Sequence, residues 1–209
     1  MKIILPANKA RIFCSKTGMS KYLKFYKPFE VLCQFTDPSG RANLKDFIKV
    51  PGVYPAGRLD YRSEGLLILT DDGNLIQHIT DPRYAHPKTY FAQVEGIITV
   101  EALWTLSNEI LLPGIQNRRA KARMIPDPDL PPRAVPVRPY HPTSWIEITL
   151  FEGKKHQVRR MTASVGFPTL RLVRVAIGGV TIEGLEPGKW QPLQTAEVNE
   201  IKGFHKRLH

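Results

Sequence analysis

Three short segments hold the residue types that could do chemistry. The run GRLDYRSEG, residues 57–65, sets Arg58 and Asp60 two positions apart between glycines. A carboxylate beside a guanidinium in a glycine-bounded loop is a common way to build an active site. Neighbouring positive charge favours the ionised carboxylate, which suits a nucleophile or a base rather than a general acid. A structural Arg–Asp pair bracing the loop is the plainer reading, and on this segment alone the better one. The second segment is KTY, residues 88–90, which places Tyr90 in an alternating run. The third, KKHQVRRM, residues 154–161, spaces His156, Arg159 and Arg160 at i, i+3 and i+4, on one flank of an expected helix. Phosphate contact or pairing with a distant carboxylate would use that flank, and a solvated basic face is the ordinary alternative. His156 has no second histidine or cysteine at ligand spacing, so no metal site is expected. The chain has no P-loop, no dinucleotide fingerprint and no G-x-S-x-G elbow.

The elements that must position these residues are legible in part. YLKFYKPFEVLCQF reads as two strands about a turn at Lys27–Pro28, with Cys33 as a small core residue. NLKDFI suggests a short helix, GRLDYRSEG a loop, and LLILT a buried strand. Asp72 is placed to cap a helix through NLIQHI. KTYFAQVEG alternates as a strand with Tyr90, Ala92 and Val94 on one face. Thr99 can cap a helix through VEALWTLSNE. In RRAKARMIP, Arg119, Lys121 and Arg123 alternate with Ala120, Ala122 and Met124, so one face offers three cations, to RNA or to plain solvent. Prolines crowd residues 126–142, which reads as an irregular loop. SWIEITLFEG is a further strand. KKHQVRRMTASVG reads as a helix with Val158, Met161 and Val165 inward and Gly166 at a left-handed end. TLRLVRVAIGG is a strand with a Gly-Gly turn, and Thr195 is placed to cap a last helix. Strands and helices mix without steady βαβ alternation, so an α+β fold with a mainly antiparallel sheet is expected.

Bulk properties narrow the partner. The 209 residues include 30 Lys and Arg against 19 Asp and Glu, a formal net charge of +11. Such a balance favours a polyanion, first nucleic acid and next an anionic membrane surface, because neutralising phosphates releases counterions. The first 21 residues carry Lys2, Lys9, Arg11, Lys16 and Lys21 and no acid, and read as a flexible basic arm. Cys14 and Cys33 lack metal or redox spacing and read as free thiols of a reducing cytosol. No run approaches the roughly 20 apolar residues of a membrane span, and the apolar run before Pro6 is too short for a signal peptide. A soluble cytoplasmic protein, taken as a monomer, is expected.

Together the segments resemble a known family. GRLDYRSEGLLILTDDG is similar to the catalytic motif of the RsuA-type pseudouridine synthases, and KTYFAQVEG to that family's tyrosine motif. EGKKHQVRRM followed by VGFPTLRLVRVAIG is similar to its third motif, and FYKPFEVLCQF to its opening strand. Four motifs in the family's order, from about Tyr22 to the C-terminus, make a specific match. KPFEVLCQFTD and QVEGIIT look most like the large-subunit ribosomal RNA synthases of the E group. That group lacks the small S4-type RNA-binding domain of many relatives, and none is expected here. Two positions depart from the pattern: Tyr26 stands before Lys27–Pro28 where Asn is usual, and His156 where Arg is usual.

The resemblance implies a long, bent, mainly antiparallel sheet with flanking helices in two lobes around a cleft. It implies a catalytic domain over residues 22–209 that isomerises uridine to pseudouridine in ribosomal RNA without cofactor or metal. It makes Asp60 the catalytic carboxylate, pairs Arg159 with it, stacks Tyr90 on the uracil and puts Arg58 at the mouth of the site. Arg119, Lys121, Arg123, Lys155, His156 and Arg160 are the candidate RNA contacts. A noncatalytic RNA-binding protein on the same fold is the main alternative. A hydrolase using Asp60 with Glu64 as second acid is another.

Overall fold

The computed structural model describes residues 20–108, 110–117, 120–137 and 140–204. The N-terminal arm up to residue 19, with Cys14, and the proposed RNA contact Arg119 lie outside the described residues.

In chain order the strands are β1 (Tyr22–Lys27), β2 (Tyr54–Pro55), β3 (Glu64–Thr70), β4 (Lys88–Glu95), β5 (Ile110–Leu112) and β6 (Ile115–Asn117). They continue with β7 (Lys121–Ile125), β8 (Thr143–Leu150), β9 (Thr169–Ile177), β10 (Val180–Thr181) and β11 (Trp190–Pro192). The helices are α1 (Leu44–Phe47), α2 (Gly73–Thr80), α3 (Val100–Asn108), α4 (Gln157–Ser164) and α5 (Thr195–Gly203). The main sheet runs β11-β1-β3-β9-β4-β8-β7, with β2 on β3 and β10 on β9, while β5 and β6 pair apart from it. Among the described strands, only β3 and β9 pair in parallel. This is the expected α+β architecture with a mainly antiparallel sheet.

Two sets of cores flank the β3–β9 junction. On one side Ala92, Val94, Ile146 and Ile148 of the sheet pack with Leu106 of α3 and Met161 of α4. On the other, Leu66 and Ile68 of β3 meet Leu75 and Ile79 of α2 and Val198 and Ile201 of α5. Phe25, Leu67 and Leu69 face Leu44 of α1. The alternation of β4 is borne out: Tyr90, Ala92 and Val94 are buried and the residues between them half-buried. Asp72 caps α2 by accepting from the Asn74 and Leu75 N–H groups. Thr99 accepts from the Ala102 N–H at the start of α3. Gly166 takes the left-handed conformation just past α4, at φ 88°.

At the junction the backbones nearly touch. Gly65 pairs with Arg174, and a Cβ on Gly65 would lie 2.3 Å from the Arg174 carbonyl oxygen. Its φ of +102° also belongs to glycine. A second irregularity lies in β4–β9. Thr89 pairs with Ala176, but Tyr90 pairs with Arg174, so Val175 is an extra residue that re-aims the strand.

Three expectations are corrected. EVLCQF forms no strand; beyond a bridge from Leu32 to Asn43 the segment is irregular. The Lys27 ammonium donates to the Pro28 and Val31 carbonyls and turns the chain around itself. The helix expected from Lys154 begins only at Gln157. The Gln157 side chain accepts from the Lys154 N–H and its backbone N–H donates to the Lys154 carbonyl, closing a turn there. His156, at φ 54°, is therefore the left-handed residue before α4 and not part of its flank. Gln194, not Thr195, precedes α5, and its backbone N–H donates to the Glu197 carboxylate at 2.7 Å.

Candidate active site

Asp60 sits in the loop that leads into β3, and four bonds hold that loop. The Leu59 N–H donates to the Cys33 thiol sulfur at 3.3 Å. The Ser63 N–H donates to the Asp60 carbonyl at 3.0 Å. Lys27 Nζ, fully buried, reaches the Tyr61 carbonyl at 3.4 Å. Arg159 Nη2 donates to the Arg62 carbonyl at 2.7 Å, while its Nη1 donates to Thr169 O at 3.1 Å. Arg159 thus grips the backbone two residues past Asp60. The expected direct Asp60–Arg159 pair does not form, because the guanidinium is committed to two carbonyls. Burial pulls the Arg159 pKa down, and the nearby Asp60 charge is the main influence raising it. The side chain that stands at the carboxylate is His156, with Nε2 3.7 Å from Asp60 Oδ1.

Asp60 lies on the partition between two depressions. One, of about 430 Å³, has Lys88, Tyr90, Leu150, Leu172 and Arg174 in its wall, with Val158 from α4. The other, of about 650 Å³, includes Cys33, Tyr61, Arg62 and Arg159. Arg58, Leu59, Asp60, Lys155 and His156 border both. Among the described residues lining them, Asp60 is the only acid, against six cationic or imidazole side chains in the first depression. Glu64 lines neither. It is buried in a two-point pair with Arg171, Nε to Oε2 and Nη2 to Oε1, both at 3.0 Å. No group of three or more His, Cys, Asp or Glu residues able to hold a metal occurs among the described residues. No helix among them is long and apolar enough to cross a membrane.

The expected site residues thus divide. Asp60, Arg58, Tyr90, Arg159, Lys155 and His156 all border the depressions. Arg160 instead donates to the Pro113 carbonyl at 2.7 Å, tying α4 to the β5–β6 turn. Arg123 is held by the Glu147 carboxylate of the next strand through Nε and Nη2, so only Lys121 of that cationic face is exposed and without such a carboxylate among the described residues. Met124, on the face opposite those cations, is 47% exposed because β7 is an edge strand.

Sequence reasoning missed three buried cations. Lys27 and Lys88 are each pushed down to about 8, chiefly by burial. Arg174 is 2% exposed; its Nε donates to the Leu66 carbonyl and its Nη2 is buried without a partner. The alternation that groups Tyr90, Ala92 and Val94 includes Lys88 as well, so that signal was present. Arg174 could not be found, since its place opposite Tyr90 depends on the Val175 bulge.

Asp60 thus shares with the Tyr90 ring a cation-lined hollow in which, among the described residues, it is the only acid. Residues 21–164 fit the model of the RNA pseudouridylate synthases, and the chain belongs to that family. Among its relatives, the ribosomal large subunit pseudouridine synthase E of Vibrio vulnificus is 49% identical over 175 residues, 83% of this chain and 75% of that protein. The enzyme of the same description from Xanthomonas campestris is 50% identical over 170 residues, covering 79% of this chain and 91% of the relative. A crystal structure of a pseudouridylate synthase superposes with a TM-score of 0.74 at 29% identity, over 87% of this chain and 74% of that one.

Proposed function

We propose that this protein isomerises a specific uridine of large-subunit ribosomal RNA to pseudouridine, with Asp60 as the catalytic carboxylate. The observation that carries the reading is the position of Asp60 as the sole acid between two depressions, one of them bearing Tyr90. The reaction breaks the bond from ribose C1′ to base N1, turns the uracil and rejoins it through C5. It needs no redox change. It needs one carboxylate at the sugar, a hollow for the loose base and little water.

The tyrosine ring offers stacking area to the base. Arg58, exposed at the mouth, helps hold a nucleotide flipped from its stack, which costs a few kcal/mol. Arg159 is a positioning residue that fixes the Asp60 loop through the Arg62 carbonyl. Lys155 and His156 at the rim, with Lys121 on β7, are the backbone contacts that a basic protein of this charge would use on RNA loops. The names of the similar enzymes and the +11 charge support ribosomal RNA as substrate.

A two-carboxylate hydrolase is disfavoured because Glu64, the nearest second acid, is consumed by Arg171. The test is tritium release from ribosomal RNA labelled at uridine C5. Release by the wild type and none by Asp60→Asn is the expected result. Free uracil in place of pseudouridine would establish hydrolysis, and equal release by both proteins would remove Asp60 from the chemistry.

A further inference from the structure

We propose that Lys88 and Arg174 form an anion hole for the detached base, holding the negative charge that uracil carries between leaving C1′ through N1 and rejoining it through C5. The inference rests on the reading of the cleft as a uridine site and names a task in it for two residues to which the sequence reading assigns none. Breaking C1′–N1 leaves the bonding electron pair on the base, spread over N1, O2 and O4. The base turns, C5 donates an electron pair to C1′, the C5 hydrogen departs as a proton and N1 takes one up. Composition is unchanged. Only the detached state has a full negative charge on the base, so groups that favour it act on the transition states and not on the bound RNA.

The geometry places both cations on the floor where the base would lie. Lys88 and Tyr90 share the buried face of β4, and Arg174 stands opposite Tyr90 across β9. Leu150 is paired with Lys88 from the other side, and Leu172 lies two residues before Arg174. Leu150 and Leu172 thus set apolar surface beside the two cations, a setting in which charge acts strongly. Each cation has one printed protein acceptor among the described residues and further N–H groups to donate. Lys88 Nζ has the His86 carbonyl, at 3.2 Å, as its recorded acceptor, although an ammonium has three protons to donate. Arg174 Nη2 is buried without a partner. Burial pushes the Lys88 pKa down to about 8, and the like charge of Arg174 pushes the same way. Two buried like charges with unused donors are costly to keep, and a transient anion is the partner that accounts for them. A phosphate would be served by the exposed Arg58, Lys154 and Lys155 at the rim, without leaving water.

The experiment compares wild type, Lys88→Met, Lys88→Gln, Lys88→Arg and Asp60→Asn. It measures tritium release in single turnover at saturating enzyme, and RNA affinity by filter binding. The expected result is a rate lower by 100-fold or more in Lys88→Met, with affinity within threefold of wild type. Lys88→Arg should recover at least a tenth of the wild-type rate. Lys88→Gln, which keeps the bond to His86, gives the same reading if Lys88→Met fails to fold. Loss of affinity with an unchanged saturated rate would make Lys88 a phosphate anchor and overturn the proposal. So would full activity of Lys88→Met and Lys88→Gln beside an inactive Asp60→Asn. If the wild type releases nothing, or Asp60→Asn is fully active, it is the reading of the site itself that fails.

Discussion

Glu64 and Arg171 bind each other through two parallel 3.0 Å bonds in the interior, and Arg171 Nη2 also donates to the Pro131 carbonyl of the proline-rich loop at 2.7 Å. A carboxylate only four residues from Asp60 is thereby removed from the chemistry and given to the fold. Breaking one side of such a pair strands the other charge, a loss of about 3 kcal/mol or more. Glu64→Gln is expected to lower the unfolding free energy by that amount, read as a lower denaturant midpoint, while the folded variant keeps a single-turnover rate within about tenfold of wild type. An unchanged midpoint with abolished turnover would return Glu64 to the active site.

The two buried lysines should respond oppositely to removal. An ammonium that titrates near 8 instead of 10.5 costs about 3 kcal/mol of folding stability while it is protonated. Lys27 offsets this with bonds to the Pro28, Val31 and Tyr61 carbonyls. Lys27→Met would leave three acceptors without their donor, at about 1–3 kcal/mol each, and is expected to be destabilised. Lys88 has one long bond to His86, so Lys88→Met should melt higher than wild type and work worse. A lower melting temperature for Lys88→Met would count against this ledger.

The pH dependence follows from the same groups. A lysine with a depressed folded pKa penalises stability in full below about 8, and the penalty fades as pH rises from 8 towards 10.5. Activity should run the other way, because only the protonated Lys88 can meet an anion. The charged and titratable groups around it are Arg174 on β9, His86 ahead of β4, Arg58 and Asp60 from the loop, and Lys154, Lys155 and His156 before α4. Since kcat/KM reports the free enzyme, it is expected to fall above pH 8, approaching about tenfold per pH unit. The fall should vanish in Lys88→Arg. Its persistence there would assign it to Lys27 or to the RNA.

At Gly65 the close approach is to backbone atoms, which cannot swing aside as a side chain can. Gly65→Ala would press a methyl group against the Arg174 carbonyl while holding a positive φ, and is expected to cost about 3 kcal/mol or more. Gly73→Ala, in open space at the first turn of α2, should be neutral or gain up to about 1 kcal/mol. Calorimetry on the pair separates a steric junction from a general intolerance of lost glycines.

These relationships mark what the sequence could carry. Period-two alternation located β4 and β7, and a capping residue located α2, because both signals are local. The strand order, the parallel β3–β9 contact and the Val175 bulge depend on residues about a hundred positions apart, and no local pattern encodes them. The same limit explains the site. Asp60 and Tyr90 were legible as chemistry-bearing types in their own segments. The meeting of Asp60 with His156 was not, because the helical spacing of KKHQVRRM includes His156, whereas the Gln157 side chain closes a turn at Lys154 and α4 begins only after His156. Arg159 was found as a residue but misjudged as a partner: its reach ends on carbonyls.

The partition occupied by Asp60 has a mechanical meaning on the proposed reading. A nucleotide straddling it would keep ribose and phosphate gripped on one side while the base is loose on the other. The base could then spin in its own chamber without the polynucleotide being re-docked, so one encounter with RNA would suffice for both bond breaking and bond making. The carboxylate would sit at the pivot, the one point that stays put relative to C1′ throughout the turn.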